Sequence, residues 1–372
     1  MAGRSVFFIL IKISPMKNIL FASMFLMCIS CTYSAEDKVL RLWYDRPAET
    51  WNEALPVGNG RLGAMVFGGV EKERIQFNEE TLWTGGPHDY ANKGAVDHLE
   101  EIRRLLRDGR QDAAHELAMN NFMSVPLRQK EYQPFGDIYL EFPGHQDYSG
   151  YYRELDISNA ICRTSYMVGE IHYTREVFAS HPSQVIVIEL TADKAGSLDF
   201  QLSMDSPHVQ SKLSYADGRL LLDVAVTDGV LRGAAGIQVE TDGKLSEADG
   251  EMSVRGASSA ILRLSAATSY ISYKDVSGDP FARMAQHLDA SLGSSFESMK
   301  EAHMADYREL FDRFSLDLGS NGRDTIPTDQ RLLRFMESPE DPSLISLYSQ
   351  YGRYLMISAS RPGTKPANLQ GI

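Results

Sequence analysis

From Lys38 to about Tyr273 apolar and polar residues alternate with a period of two, and this limits the first two-thirds of the chain to β structure. Strands are expected at Leu62 to Phe67, Ile138 to Phe142, Ile161 to Met167, Ile171 to Ala179 and Val185 to Leu190. Leu198 to Met204, Arg219 to Val226, Gly236 to Glu240 and Ala260 to Ala266 continue the series. Turn chemistry separates them, as at Val168-Gly169-Glu170, Ala216-Asp217-Gly218 and Thr241-Asp242-Gly243. Many short strands without alternating helices indicate an antiparallel sandwich and not a doubly wound sheet. One helical insertion interrupts them. Val96 to Leu106 carries Leu99, Ile102, Leu105 and Leu106 on one face, and a second helix follows near Gln111 to Asn121.

At Ser277-Gly278-Asp279-Pro280 the period changes to that of a helix. Phe296, Met299, His303, Tyr307, Leu310, Phe311 and Phe314 recur at three- and four-residue spacing. After a polar break at Gly319 to Asp324, Thr328 is expected to cap a short helix. Asp341-Pro342 is expected to open another, carrying Ile345, Tyr348, Leu355 and Ala359. Arg361-Pro362-Gly363 stops that helix, and a new segment containing Leu369 and Ile372 begins. The expectation is the front part of a longer protein. Its order is a signal region at 1–35, a β domain at 36–276, a helical linker at 277–340 and the opening of an all-helical domain at 341–372.

The N-terminus reads as an export signal. Met16-Lys17-Asn18 precedes the apolar run Ile19 to Met27, which is shorter than the roughly 20 residues needed to span a bilayer. Met16 is the expected start. Cleavage after Ser30 would make Cys31 the first residue and a lipid anchor, while cleavage after Ala35 would leave a plain secreted chain. Both readings stand, so the expected location is periplasmic, cell-surface or secreted. Cys162 is then the one cysteine of the mature body unless Cys31 is the lipid anchor, and a single cysteine makes no disulfide framework and no zinc cluster; it reads as a buried small hydrophobe. A net charge of -13 argues against a nucleic-acid partner, because no excess of Lys and Arg exists to neutralise phosphates.

Two segments are dense in special residues. Gly58-Asn59-Gly60-Arg61-Leu62-Gly63 has the spacing of a dinucleotide loop, but the residues after it read as a strand and not as the helix that such a site requires. It is therefore a glycine-rich turn. The other is Asn78-Glu79-Glu80-Thr81-Leu82-Trp83-Thr84-Gly85-Gly86-Pro87. Its acids, amide and indole suit sugar binding, and they equally suit a loop fixed against a neighbouring domain. Asn78, Glu79, Trp83 and His88 are candidates in either role. His88-Asp89 invites an acid–base or metal reading that one pair cannot carry, and no H-E-x-x-H motif or phosphate loop occurs.

These segments together resemble one family. They are Leu42-Trp43-Tyr44, Trp51 to Met65, Asn78 to Pro87, Tyr132 to Asp137, Ala267-Thr268-Ser269-Tyr270 and Arg361 to Ile372. The chain from about Leu40 onward is similar to the N-terminal part of glycoside hydrolase family 95, the secreted α-L-fucosidases. The resemblance implies a mainly β fold: an N-terminal antiparallel β super-sandwich, then a helical linker and the start of an (α/α)6 barrel. It implies inverting hydrolysis of terminal α-linked fucose on a fucosylated glycan, with no cofactor and no metal. A glutamic acid would protonate the leaving oxygen, and an aspartate with asparagines would orient the attacking water. None of these catalytic residues maps onto this chain; all are expected beyond Ile372. The competing reading is a stand-alone carbohydrate-binding or scaffolding sandwich, which needs a surface aromatic platform from residues such as Trp43, Trp51 or Trp83.

Overall fold

A computed structural model describes residues 40–248 and 250–367. The signal region, Cys31 and the segment holding Leu369 and Ile372 lie outside the described residues.

The first strands are β1 (Arg41–Tyr44), β2 (Leu55–Gly58), β3 (Leu62–Val66) and β4 (Lys72–Glu79). Helices α1 (Ala95–Arg107) and α2 (Gln111–Asn121) form the insertion. Next come β5 (Gly136–Glu141), β6 (Tyr148–Asp156), β7 (Ile161–Val168), β8 (Ile171–Ser180), β9 (Val185–Ala192) and β10 (Leu198–Asp205). The series closes with β11 (Gln210–Ala216), β12 (Arg219–Ala225), β13 (Arg232–Thr241), β14 (Lys244–Ala248), β15 (Glu251–Ala257) and β16 (Ser259–Thr268). Among the described residues these strands make two sheets. One runs β1-β6-β7-β8-β9-β16-β13-β12-β11, the other β14-β15-β10-β5-β4-β3-β2.

Alternation explains the layering. The inward residues of the smaller sheet, Leu62, Ile75, Phe77, Ile138, Leu140 and Phe200, meet Leu155, Val177, Ile188, Leu222, Ile237 and Leu264 of the larger one in a single core. Cys162 is buried there too. The outer face of the larger sheet carries a second apolar layer under the linker helices α3 (Pro280–Ser291) and α4 (Phe296–Phe311). Phe178, Val185 and Val187 of the sheet pack there with Met284, Leu288, Phe296 and Met299. Asp279 caps α3 by accepting the Phe281 and Ala282 N–H groups, with Pro280 at the first helical position. Two further helices follow, α5 (Thr328–Glu337) and α6 (Pro342–Ala359).

Three details differ from the sequence expectation. Thr328 is the first residue of α5 and not its cap; its Oγ1 accepts the Trp43 N–H at 3.0 Å, tying the helix to the edge strand β1. Phe314 lies beyond the end of α4 and is exposed, whereas Phe296, Met299, His303, Tyr307 and Phe311 are the buried face. In α6, Ile345, Tyr348 and Leu355 face outward, and Leu344, Leu347 and Tyr354 are the residues buried against the sandwich. The reason is that the buried face also holds Ser346, Gln350 and Ser358 while apolar side chains stand on the outer side, so periodicity cannot choose the inner face.

Candidate functional site at the sheet–helix junction

The dense sequence segments, distant along the chain, meet where the smaller sheet receives the C-terminal end of α6. Tyr354 donates its hydroxyl to the Pro56 carbonyl at 2.6 Å, and the Gly60 N–H donates to the Ser358 carbonyl at 2.7 Å. The glycine-rich turn is thus a seat for the last turn of a helix. Asn59 fixes it by donating to the Ser180 carbonyl (2.9 Å) and accepting the Leu62 N–H (2.7 Å). Arg61 holds the β8–β9 turn through the side chain (2.7 Å) and carbonyl (2.8 Å) of Gln184, and it also donates to the Ala266 carbonyl.

Two glycines are required here by contact. A Cβ on Gly58 would lie 2.6 Å from the Ser358 carbonyl oxygen. Gly60 has a φ of +88°, and its Cβ would lie 2.9 Å from the Arg361 backbone nitrogen. Gly60→Ala is therefore expected to cost roughly 2–3 kcal/mol in strain and displaced contacts. A thermal melt, together with faster proteolysis within 358–367, would register it. A variant melting within a degree of the parent and equally resistant to protease would refute the seat.

Strand β4 carries two of the candidate residues, Asn78 and Glu79, on opposite faces. Glu79 points inward and is buried, accepting the Thr81 N–H at 2.8 Å and the Thr81 hydroxyl at 2.6 Å. Burial pushes its carboxyl pKa up, and Arg61 and Thr81 pull it back. Asn78 faces outward, and its Oδ1 accepts the Glu79 N–H at 2.9 Å. Trp83 packs on Tyr132 with ring centroids 5.1 Å apart and donates its indole N–H to the Glu80 carbonyl at 3.0 Å. Glu80, absent from the sequence candidates, is the residue that reaches the C-terminal segment. Its carboxylate accepts the Lys365 backbone N–H, and partial burial pushes its pKa up to about 7. Lys365 in turn covers the Tyr270 ring at 4.3 Å. A second tie joins Arg361 to Asp306 of α4 at 2.5 Å, and His181 meets the same carboxylate at 3.2 Å. These three residues stand far apart in sequence, and no local pattern could have paired them.

His88 does not join this group. It donates to the Val125 carbonyl at 2.7 Å and meets Tyr90 edge-on, while Asp89 accepts the Ala91 N–H. So His88 and Asp89 are each spent on loop backbone.

Beside the junction, a groove of about 730 Å³ opens between the outer face of β2–β4 and α6. Trp51, Gln76, Asn78, Tyr132, Tyr351 and Leu355 line it, and its lining includes no Asp or Glu. Among the described residues no set of three or more His, Cys, Asp or Glu is placed to hold a metal ion.

Two known families match parts of this chain. Residues 42–273 match the glycosyl hydrolase family 65 N-terminal domain, and residues 295–372 match the glycosyl hydrolase family 95 catalytic domain. Alpha-L-fucosidase 2 of Arabidopsis thaliana is 36% identical over 90% of this chain and 43% of its own length. Probable alpha-fucosidase A of Aspergillus niger is 28% identical over 89% of this chain and 44% of its own length. Its namesake in Aspergillus oryzae is 26% identical over 89% and 49%. The chain spans less than half the length of the curated relatives it matches. Among solved structures, a putative kojibiose phosphorylase from the human microbiome aligns with a TM-score of 0.45 at 9% identity, over 87% of this chain and 42% of that one. With a family 65-type β domain leading into the opening of a family 95 catalytic domain, the chain belongs to glycoside hydrolase family 95.

Proposed function

We propose that this chain is the N-terminal part of an α-L-fucosidase that removes terminal α-linked L-fucose from glycans with inversion, and that residues 1–372 alone are inert. The supporting observation is the junction. The family segments converge on the end of α6 and hold it, as a scaffold would hold the first elements of a catalytic domain. Inverting hydrolysis needs one carboxylic acid to protonate the leaving oxygen and a second basic group to activate water, roughly 6.5–9.5 Å away. The groove beside the junction offers no carboxylate, Glu79 is sealed inside the sandwich, and Glu80 holds the Lys365 backbone. These residues therefore position the helical domain and leave bond cleavage to residues outside 1–372. Export through the first 35 residues, with Cys31 as lipid anchor or cleaved away, belongs to the same proposal.

The test compares residues 1–372 with the product of the whole reading frame that contains them, assaying L-fucose release from 2′-fucosyllactose. Release is expected from the second and none from the first. Release by residues 1–372, or a silent whole product, overturns the proposal.

A further inference from the structure

A second concavity lies on the outer face of the larger sheet, lined by residues that the junction does not use. Antiparallel register sets its floor in rows. Arg163 of β7 is opposite Glu176 of β8, which is opposite Glu189 of β9. The next row is Ser165, Thr174 and Thr191, and His172 lies beyond. Neighbouring strands place these side chains about 4.8 Å apart. The first turn of α4 forms a wall with Phe296, Glu297 and Lys300, enclosing about 470 Å³. That volume falls in the usual range of small-molecule sites, roughly 300–1,000 Å³.

The charges within it are largely committed. Glu176 is buried and accepts from Arg163 (2.9 Å) and from Lys300, so both cations spend hydrogen bonds on one carboxylate, and Glu189 and Glu297 beside them weigh against a phosphate or sulfate. Glu189 is different. It is half-buried, and among the described residues its carboxyl holds no hydrogen bond. Burial, with Glu176 and Glu297 nearby, pushes its pKa up to about 7. The hydroxyls of Ser165 and Thr174 also donate to nothing among the described residues. A half-buried acid and two free hydroxyls, set on a rigid grid beside pinned charges, match a ligand that is neutral and rich in hydroxyl groups.

We propose that this tray on β7–β9 is a saccharide-binding site, lined by residues other than those of the junction, which takes a short neutral oligosaccharide. Glu189, Thr174 and Ser165 bond its hydroxyls, and the Arg163–Glu176–Lys300 cluster keeps the floor fixed. The proposal draws on the glycan-processing reading only for its choice of probe.

The test is saturation-transfer NMR on residues 1–372 with 2′-fucosyllactose and with lactose. The parent is expected to give a saturable signal with at least one of them. Thr174→Trp, which fills the tray, and Glu189→Ala should each weaken binding at least fivefold without moving the melting temperature. Both positions face away from the core between the two sheets, and an unchanged melting temperature in each variant is the check that folding is preserved. Binding unaffected by both substitutions overturns the proposal, as does failure of both saccharides to bind, with or without binding of a cationic control such as spermidine. Fucose release is scored separately, so a failed hydrolysis proposal leaves this result standing.

Discussion

Replacing Arg175 with methionine is expected to destabilise the sandwich by about 3–5 kcal/mol, the usual cost of removing one partner from a buried ion pair. Arg175 projects from β8 into the space between the sheets, with its side chain 4% exposed. It donates to the Glu73 carboxylate at 3.1 Å, to the Val70 carbonyl at 2.7 Å, to the Tyr166 hydroxyl at 2.6 Å and to the Gly69 carbonyl. Its guanidinium carbon lies 4.0 Å from the Phe142 ring centroid. Glu73 is buried as deeply, and its other oxygen accepts the Gly68 N–H at 2.8 Å. Methionine would fill much of the volume but strand a carboxylate and two carbonyls away from water. At an unfolding entropy of about 2.1 cal/mol/K per residue, the loss corresponds to a drop of roughly 5 °C in Tm for a unit of this size. Glu73→Gln should also be costly, because it leaves the guanidinium charge unanswered. The double variant should cost clearly less than the sum of the two. Additive losses, or an Arg175→Met loss under about 1 kcal/mol, would show that the pair carries no special weight.

The same residues explain which strands could be read from sequence. Strands β9, β10, β12 and β16 announce themselves because their inward positions are apolar, and β7 and β8 do so although Thr164 and Arg175 interrupt theirs. Strand β4 alternates perfectly in burial, yet two of its inward positions are Glu73 and Glu79, so its pattern was hidden by the carboxylates that make it interesting. The four sheet edges, β1, β11, β14 and β2, also escaped. Edge strands need only partial burial and keep polar side chains; β11 and β14 bury nothing. At the candidate site, the glycine turn and the Asn78–Pro87 segment stood out as dense in special residues. Their shared purpose did not, since the contacts that define it join residues such as Glu80 with Lys365 and Arg361 with Asp306. Contacts of that span leave no periodic trace, because they are set by tertiary packing and not by local preference.

Asp341→Asn is expected to loosen α6 by about 3 kcal/mol at neutral pH, and Asp341→Ala by about 1 kcal/mol more. Asp341 has no exposed side-chain surface, and it does two jobs at once. Its carboxylate grips Arg331 of α5 in a two-pronged pair at 2.7 and 2.8 Å, and it caps α6 by accepting the Leu344 N–H at 3.0 Å. Asparagine keeps the cap and loses the charge; alanine loses both. The hydrogen bonds from Arg331 hold the Asp341 carboxyl below the ordinary aspartate range. Because the folded pKa is depressed, the folded state binds fewer protons than the unfolded chain as pH falls through the unfolded value near 4. The contribution is therefore complete above about pH 4 and is lost as pH drops through the folded pKa. Urea midpoints for parent and Asp341→Asn should differ fully at pH 7 and converge below pH 4. Hydrogen exchange in 342–359 should speed up in the variant at pH 7, since α6 is held at one end by this pair and at the other by the Gly58–Gly60 seat. A gap that persists unchanged to pH 3, or an alanine variant no worse than asparagine, would mean that α6 is held by apolar packing alone.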